Sequence, residues 1–371
     1  MHVSRASSDW ADAGQPPQSS GCPVSGPITG WRGPPGSVAG MEWTSDVAAG
    51  AWILERIDDP WRYTMHDVVP RGFPAYARIF HPAWRDRPVG EPWPGLPYGR
   101  YSAEWDAFQQ RNPDIVDERV TWAVTAKAMG TTMHPRAQWS ALVASGRIVE
   151  NEDGPRDADG WRYGDPEQGG MPADTLASIA DVLAGHTTTP DDGCASLWEG
   201  FGGLVGFLGQ GPSRGFYGWI DGDDGFVQAR HDEMLGRSVK DRFNSVFRRP
   251  TWQDGILSRE VSEGARLQLP GRDQVLFRGG VAELTEPDWV LRVPWRDRVS
   301  EEHGFPPSAQ SPSLLWPEDR AWVLVSEVDF DSTIVGGSAD LVAALCADPR
   351  LEALEIAEGT VLTYDSDEVN R

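Results

Sequence analysis

The sequence predicts an α+β fold with a helical N-terminal lobe and a mixed-sheet C-terminal lobe. Helical periodicity dominates the first half of the chain, and strands alternate with a helix near the C-terminus. Gly 41 and Pro 30 make up about a fifth of the 371 residues, which indicates long irregular connections. This length suggests two lobes, which we place at 41–150 and 173–371.

Residues 1–40 are expected to form a disordered tail. They are rich in Gly, Pro and Ser, and they hold too few apolar residues to offset the entropy lost on ordering. Met41 follows directly and opens a segment of ordinary globular composition. Translation from Met41 is therefore an alternative to translation from Met1.

The N-terminal lobe is predicted to be mainly helical. Helical spacing begins after Thr44 and recurs over 114–129 and 135–145. The exception is 73–84, where apolar and polar residues alternate as in a strand. We therefore expect several helices and one strand in this lobe.

The boundary between the lobes is predicted at 150–172, a charged stretch rich in Gly and Pro. A helix with one apolar stripe should follow at 173–184. The pattern then indicates a buried strand with a Gly-rich turn at 194–208, and a hairpin over 256–284 that turns at 270–273.

The clearest predicted unit is C-terminal. Residues 321–329 alternate as a strand, and a Gly-Gly-Ser sequence at 336–338 leads into a helix over 339–347. Residues 354–356 return as a short strand. This strand–helix–strand order is typical of an α+β or α/β layer.

The charge of the chain restricts its partners. The formal net charge is −23, and such a field repels nucleic acid and anionic membranes. No apolar run approaches the roughly 20 residues that span a bilayer, and the N-terminus lacks a signal-peptide core. We expect a soluble cytoplasmic protein that binds neither nucleic acid nor membranes, with another protein as the candidate partner.

Three stretches together resemble a family of uncharacterised actinobacterial proteins. They are 72–84, 186–202 and 311–338, of which the last is the most specific. The resemblance spans most of 41–371 and leaves out 1–40, in agreement with a start at Met41. The family has no established activity, so the resemblance implies an intact fold and no particular chemistry.

Asp329 and Asp331 are the candidate catalytic residues. With Phe330 between them they follow an apolar strand, as in the first motif of haloacid-dehalogenase-type phosphatases, where one Asp attacks phosphorus and the other handles the leaving-group proton. Only 40 of the 371 residues follow Asp331, too few for the downstream Lys and metal-binding acids of that fold. The alternative is a strand end whose acids face water.

Gly336, Gly337, Ser338 and Trp198 are the candidate binding residues. Backbone N–H groups at the start of the 339–347 helix could hold an anion. The alternative is that Ser338 is a plain N-cap. Trp198 is one of 18 tryptophans that could line a protein-binding surface.

Neither a metal site nor a cofactor is predicted. The histidines after His2 never lie three or four residues apart, and Cys22, Cys194 and Cys346 form no CxxC pair. The chain also lacks a GxSxG elbow, a Walker loop and a GxGxxG turn between a strand and a helix.

The leading hypothesis for function is a non-enzymatic protein-binding module. An acidic, tryptophan-rich chain without these catalytic motifs is similar to bacterial immunity proteins. The alternative is a hydrolase with a dispersed acidic site near the 329–338 strand-to-helix turn. A pocket that gathers acids with a histidine would favour the hydrolase, and an exposed aromatic patch would favour the binding module.

Overall fold

Antiparallel strands organise this structure. The computed structural model describes residues 40–58, 62–144, 154–209 and 249–370. Within these ranges thirteen strands form three sheets, and all pairings between named strands are antiparallel. The tail predicted at 1–40 lies outside the described residues, apart from Gly40.

The strands are numbered in chain order. They are β1 Glu42–Trp43, β2 Ala75–Phe80, β3 Ala83–Pro88, β4 Ile115–Val120, β5 Arg162–Gly164, β6 Gly193–Trp198, β7 Phe207–Gly209, β8 Thr251–Gln253, β9 Gln274–Arg278, β10 Leu314–Pro317, β11 Val323–Val325, β12 Ser332–Gly337 and β13 Ala353–Ile356. Sheet A has the order β1-β9-β6-β10-β11-β12-β2-β13, sheet B has the order β4-β3-β5, and β7 pairs with β8.

The helices are mostly short. The α-helices are α1 Ala51–Leu54, α2 Ser102–Arg111, α3 Trp122–Met129, α4 Trp139–Val143, α5 Ala173–Ala184, α6 Arg259–Ser262, α7 Arg298–Glu302 and α8 Ala339–Ala347. Single turns of 3-10 helix lie at Val47–Gly50, Met65–Asp67, Tyr98–Arg100, Val281–Leu284 and Pro287–Leu291. None of the described helices is long and apolar enough to cross a bilayer.

The predicted fold class, an α+β fold with a helical N-terminal lobe and a mixed-sheet C-terminal lobe, is wrong. Chain segments from before residue 150 supply β1 and β2 to sheet A and two of the three strands of sheet B. The helix predicted at 114–129 is instead β4 followed by α3. The β-branched residues of β4 favour extended backbone, and the Thr121 side chain accepts a hydrogen bond from Val124 N and so begins α3.

Both faces of sheet A are covered, so its strands alternate between two apolar layers. In β9, Val275 and Phe277 join the layer that contains α5 and α8, whereas Leu276 joins the layer that contains Trp52 and Met65. Full burial of each such side chain contributes about 1.5–3 kcal/mol to stability. This two-sided burial fixes the strand register, because a slip of one residue would exchange the two layers.

The register of sheet A brings several loops to one end of the sheet. Trp198 pairs with Gln274, and Leu314 pairs with Ser196 on one side and Val325 on the other. The segments that leave the sheet here are the turn at 270–273 and the connection between β11 and β12. The candidate site lies at this end.

Candidate functional site

The predicted site at 329–338 is divided between the two ends of β12. Strand β11 ends at Val325 rather than at Asp329, so both acids lie in the connection to β12. Strand β12 then separates Asp331 from Ser338 by about 23 Å, at roughly 3.3 Å per residue. The structure therefore does not bring the acids together with Gly336, Gly337 and Ser338.

Gly336 and Gly337 are buried strand residues. Gly336 pairs with Tyr76 and Val323, and a Cβ atom at Gly336 would lie 2.8 Å from ring atoms of Phe73 and Tyr76. Close packing therefore accounts for glycine at this position. The Ser338 side chain accepts a hydrogen bond from Leu341 N at 3.1 Å, which is the geometry of an N-cap.

Asp331 is paired with a buried arginine. Arg78 Nη2 lies 3.4 Å from the Asp331 carboxylate, and the same guanidinium donates to Ser332 Oγ and to the carbonyl oxygens of Pro135 and Ala137. Burial raises the pKa of Asp331, although Arg78 opposes this effect, and burial lowers the pKa of Arg78 to about 10. The pair holds β2, β12 and the 135–137 segment together.

His81 is a fully buried histidine next to this pair. Its Nδ1 lies 2.7 Å from Glu167 O, and its Nε2 lies 2.8 Å from Thr333 Oγ1, which is 3.1 Å from Ser326 Oγ. Because a carbonyl only accepts, the ring proton is on Nδ1. Burial lowers the pKa of His81 to about 4, so the ring is neutral near pH 7.

A small pocket opens at the end of sheet A described above. Its apolar lining residues are Ile57, Val68, Leu269, Pro270, Leu314 and Val325. Its polar lining residues are Asp67, Arg272, Gln274, Ser313, Ser326 and Glu327. We call this the Asp67–Arg272 pocket.

Arg272 lines this pocket and contacts two residues that the sequence singled out, Asp329 and Trp198. It lies in the turn predicted at 270–273, which is present, since Arg272 N donates to Leu269 O at 3.1 Å. The hairpin predicted over 256–284 is wrong, because among the described residues only the bridge between Leu267 and Gln274 flanks this turn and β9 pairs with β1 and β6 instead. Arg272 donates to Glu327 at 2.8 Å and to Asp329 at 2.6 Å. Its guanidinium also lies over the ring of Trp198, 5.1 Å from the centroid. Asp329 and Trp198 are thus brought together, whereas Asp331 belongs to the separate cluster around Arg78.

Asp67, which lines the pocket, carries an unsatisfied acceptor. It ends the 3-10 helix Met65–Asp67, and its Oδ2 accepts a hydrogen bond from Tyr63 N at 3.0 Å. Its Oδ1 is buried and has no hydrogen-bond partner among the described residues. A buried acceptor without a partner costs about 1–3 kcal/mol, and a donor that reached Asp67 Oδ1, from a water or from a ligand, would remove this cost.

The charges around the pocket are predominantly negative. Arg272 pairs with the carboxyl groups of Glu327 and Asp329, and Asp67 adds a third acid to the lining among the described residues. Burial raises the pKa of Glu327, while Arg272 acts in the opposite direction. The pocket is therefore suited to a cation or to a hydrogen-bond donor.

Sequence reasoning missed Asp67 and Glu327 and named Arg272 only as a turn residue. Asp67 and Arg272 are 205 positions apart (272 − 67), and no local pattern connects them. Only the unusual acidity at the end of an apolar strand, from Glu327 to Asp331, pointed to this end of sheet A.

Comparisons with protein-family models, with curated proteins and with solved structures gave no match to the chain. Within the four described ranges, no group of three or more His, Cys, Asp or Glu side chains is placed to hold a metal ion.

Proposed function

We propose that the chain is a non-enzymatic protein-binding module, similar in kind to immunity proteins, which receives a basic side chain of its partner in the Asp67–Arg272 pocket. The observation that carries this proposal is the buried Oδ1 of Asp67, a residue that lines a pocket with apolar neighbours. A donor stabilises such an atom, and none of the described residues supplies one.

The chemistry of a lysine or arginine side chain complements the residues that line the pocket. Its methylene stem would contact Val68, Leu269 and Val325, while its charged head would donate to Asp67. Hydrogen bonds to a charged partner contribute about 1.5–3 kcal/mol, more than neutral ones. Trp198 and Arg272 would border the bound side chain.

The charge of the whole chain supports the same type of partner. A net charge of −23 attracts a basic protein during diffusional encounter and repels acidic competitors. The negative electrostatic field of the chain thereby favours a basic partner, and the pocket selects which basic side chain of that partner binds.

The alternative, a hydrolase at 329–338, receives less support. Asp331 is engaged by Arg78, and Gly336–Ser338 lie at the other end of β12. No observation favours a phosphate ester over other ligands at either place.

Titration with n-butylguanidinium tests the proposal. The probe carries the head and stem of an arginine, and N-butylurea is its neutral isostere. In NMR spectra of the full chain we expect n-butylguanidinium to shift the amide resonances of Val68, Leu269 and Ser326, and N-butylurea to leave them in place. Asp67→Asn should weaken binding by about tenfold, the loss of one charge-assisted hydrogen bond.

Asp106→Asn is the matched control, because Asp106 is an exposed residue of α2 and its substitution changes the net charge by the same amount. Equal binding of both probes, or a site that maps elsewhere, would refute the proposal.

A further inference from the structure

Among the described residues, strand β4 is an edge of sheet B. It pairs with β3 from Ala83↔Val120 to Pro88↔Ile115, and β3 is its only strand partner in the described part of the chain. Five successive residues, from Ile115 to Arg119, are exposed. An edge of this kind offers unpaired backbone groups to another strand.

The hydrogen-bond alternation identifies which backbone groups of β4 point away from β3. Val89 N donates to Asp114 O at 2.9 Å, so the next residues that bond β3 are Val116 and Glu118. The N–H and C=O groups of Ile115, Asp117 and Arg119 therefore point away from β3. None of the backbone hydrogen bonds found elsewhere in the described ranges uses these residues.

The side chains of β4 indicate which residue types an added strand would need. Asp117 lies directly opposite Asp86 in the β3–β4 register, and Arg162 already neutralises Asp86 through contacts of 2.6 and 2.9 Å. Like charges opposite each other are destabilising, so Asp117 lacks a favourable cross-strand neighbour. Ile115, two residues away on the same face, is 41% exposed.

We propose that β4 is a strand-addition site for an extended segment of a partner protein, with a basic residue placed opposite Asp117 and an apolar residue placed opposite Ile115. Backbone hydrogen bonds to the three outward-facing residues provide the binding energy common to strand addition, and the two side-chain positions provide selectivity. The net charge of −23 again favours a basic segment.

A second copy of this chain fits the edge less well. A symmetric antiparallel pairing centred on Asp117 would place that carboxylate opposite its own copy. A pairing shifted to set Asp117 against Arg119 would compete with the contacts that Arg119 already makes with Asp174 and with the ring of Trp84.

This inference rests on the proposal that the chain binds a protein, but it concerns a different surface and is tested separately. The probe is the peptide Ac-Thr-Val-Thr-Lys-Thr-Val-NH2, followed by NMR on the full chain. The control peptide has the same sequence with N-methyl groups on alternate residues, which removes donors along one edge while the protein is unchanged.

We expect the unmodified peptide to shift amide resonances of residues 115–119, and the peptide N-methylated on its β4-facing edge to bind at least tenfold more weakly. Asp117→Asn should weaken binding by about two- to fivefold, as for loss of one cross-strand ion pair. Asp106→Asn, which removes the same charge from exposed α2, should leave the peptide-induced shifts of residues 115–119 unchanged. Binding of the peptide's lysine in the Asp67–Arg272 pocket is read separately, from the resonances of Val68, Leu269 and Ser326.

Three results would overturn the inference. They are equal binding of the unmodified and N-methylated peptides, peptide-induced shifts confined to residues outside 115–119, and a concentration-dependent dimer of the chain whose interface maps to β4. If the peptide binds β4 while n-butylguanidinium fails to bind the pocket, only the pocket is refuted.

Discussion

Asp329 and Asp331 show how strongly the environment of a residue decides its role. The Asp329 side chain is 75% exposed and pairs with Arg272, whereas that of Asp331 is 18% exposed and pairs with the buried Arg78. Alternation along a strand would have given both acids the same surroundings. The turn that replaces this part of the strand separates them.

Replacement of Asp331 by Asn should destabilise the chain by about 2 kcal/mol, because Arg78 would lose its counter-charge in a buried site. Asp329→Asn should change the free energy of unfolding by less than about 0.5 kcal/mol, as for most exposed ion pairs. Urea denaturation of both variants measures the difference.

The two hypotheses for function make different predictions for the same variant. An Asp331 that served a hydrolase would be needed for turnover of a generic phosphate ester with magnesium, and Asp331→Asn would abolish turnover with the fold intact. Turnover by the wild type, lost in a variant of unchanged stability, would contradict both the structural role of Asp331 and the binding proposal.

Buried His81 should make stability depend on pH. Its pKa is about 4 in the folded protein and near 6.5 when unfolded, so the unfolded state binds more protons between these values. Stability is therefore fully present above pH 6.5 and falls as the pH drops toward 4. The loss from His81 between pH 7 and pH 5.5 should be about 1 kcal/mol.

His81→Gln tests this assignment, because glutamine can still donate to Glu167 O but does not titrate. We expect the variant to be less stable at pH 7 and to show a shallower fall in stability between pH 7 and pH 5.5. Burial lowers the pKa of His66 as well, so part of the slope should remain. A slope equal to that of the wild type would show that His81 does not contribute to it.

At the scale of elements, the spacing of apolar residues predicted the helices that have one buried face. Helices α5 and α8 begin and end at the predicted residues, and Leu176, Ile179 and Leu183 of α5 are buried as expected. Strand β4 was missed because five of its six residues are exposed, so no alternation between core and solvent marks it.

Strand β12 was missed for a different reason. Its Gly336 and Gly337 indicate a turn when only local preferences are considered, but the aromatic side chains on the neighbouring segment need the space that a Cβ atom would occupy. This requirement is set by tertiary packing and is not visible in the local pattern.

Gly336→Ala should therefore destabilise the chain by about 1–3 kcal/mol through overpacking against Phe73 and Tyr76. Thermal unfolding monitored by circular dichroism measures the effect. An anion-binding turn would instead tolerate alanine when no anion is present, so an unchanged melting temperature would contradict the strand assignment.

At the scale of the whole molecule, strand order decides which residues meet. Sheet A places β9 and β11 on either side of the β6–β10 pair, which brings Arg272 within reach of Glu327 and Asp329, 55 and 57 positions later in the chain. Asp67 lines the same pocket from the 3-10 helix Met65–Asp67 that precedes β2. The acidic character of the site was foreseeable from the sequence, whereas its assembly depends on a topology that composition and periodicity do not encode.

The central claim is that Asp67 selects a basic side chain of a protein partner. The most direct measurement compares the affinities of Ac-Ala-Gly-Lys-Gly-Ala-NH2 and its norleucine analogue for the wild type and for Asp67→Asn, with Asp106→Asn as the charge control. We predict that the wild type and Asp106→Asn prefer the lysine peptide by about tenfold, and that the preference falls to less than about twofold in Asp67→Asn. A preference for lysine that is equal in all three proteins would contradict the claim.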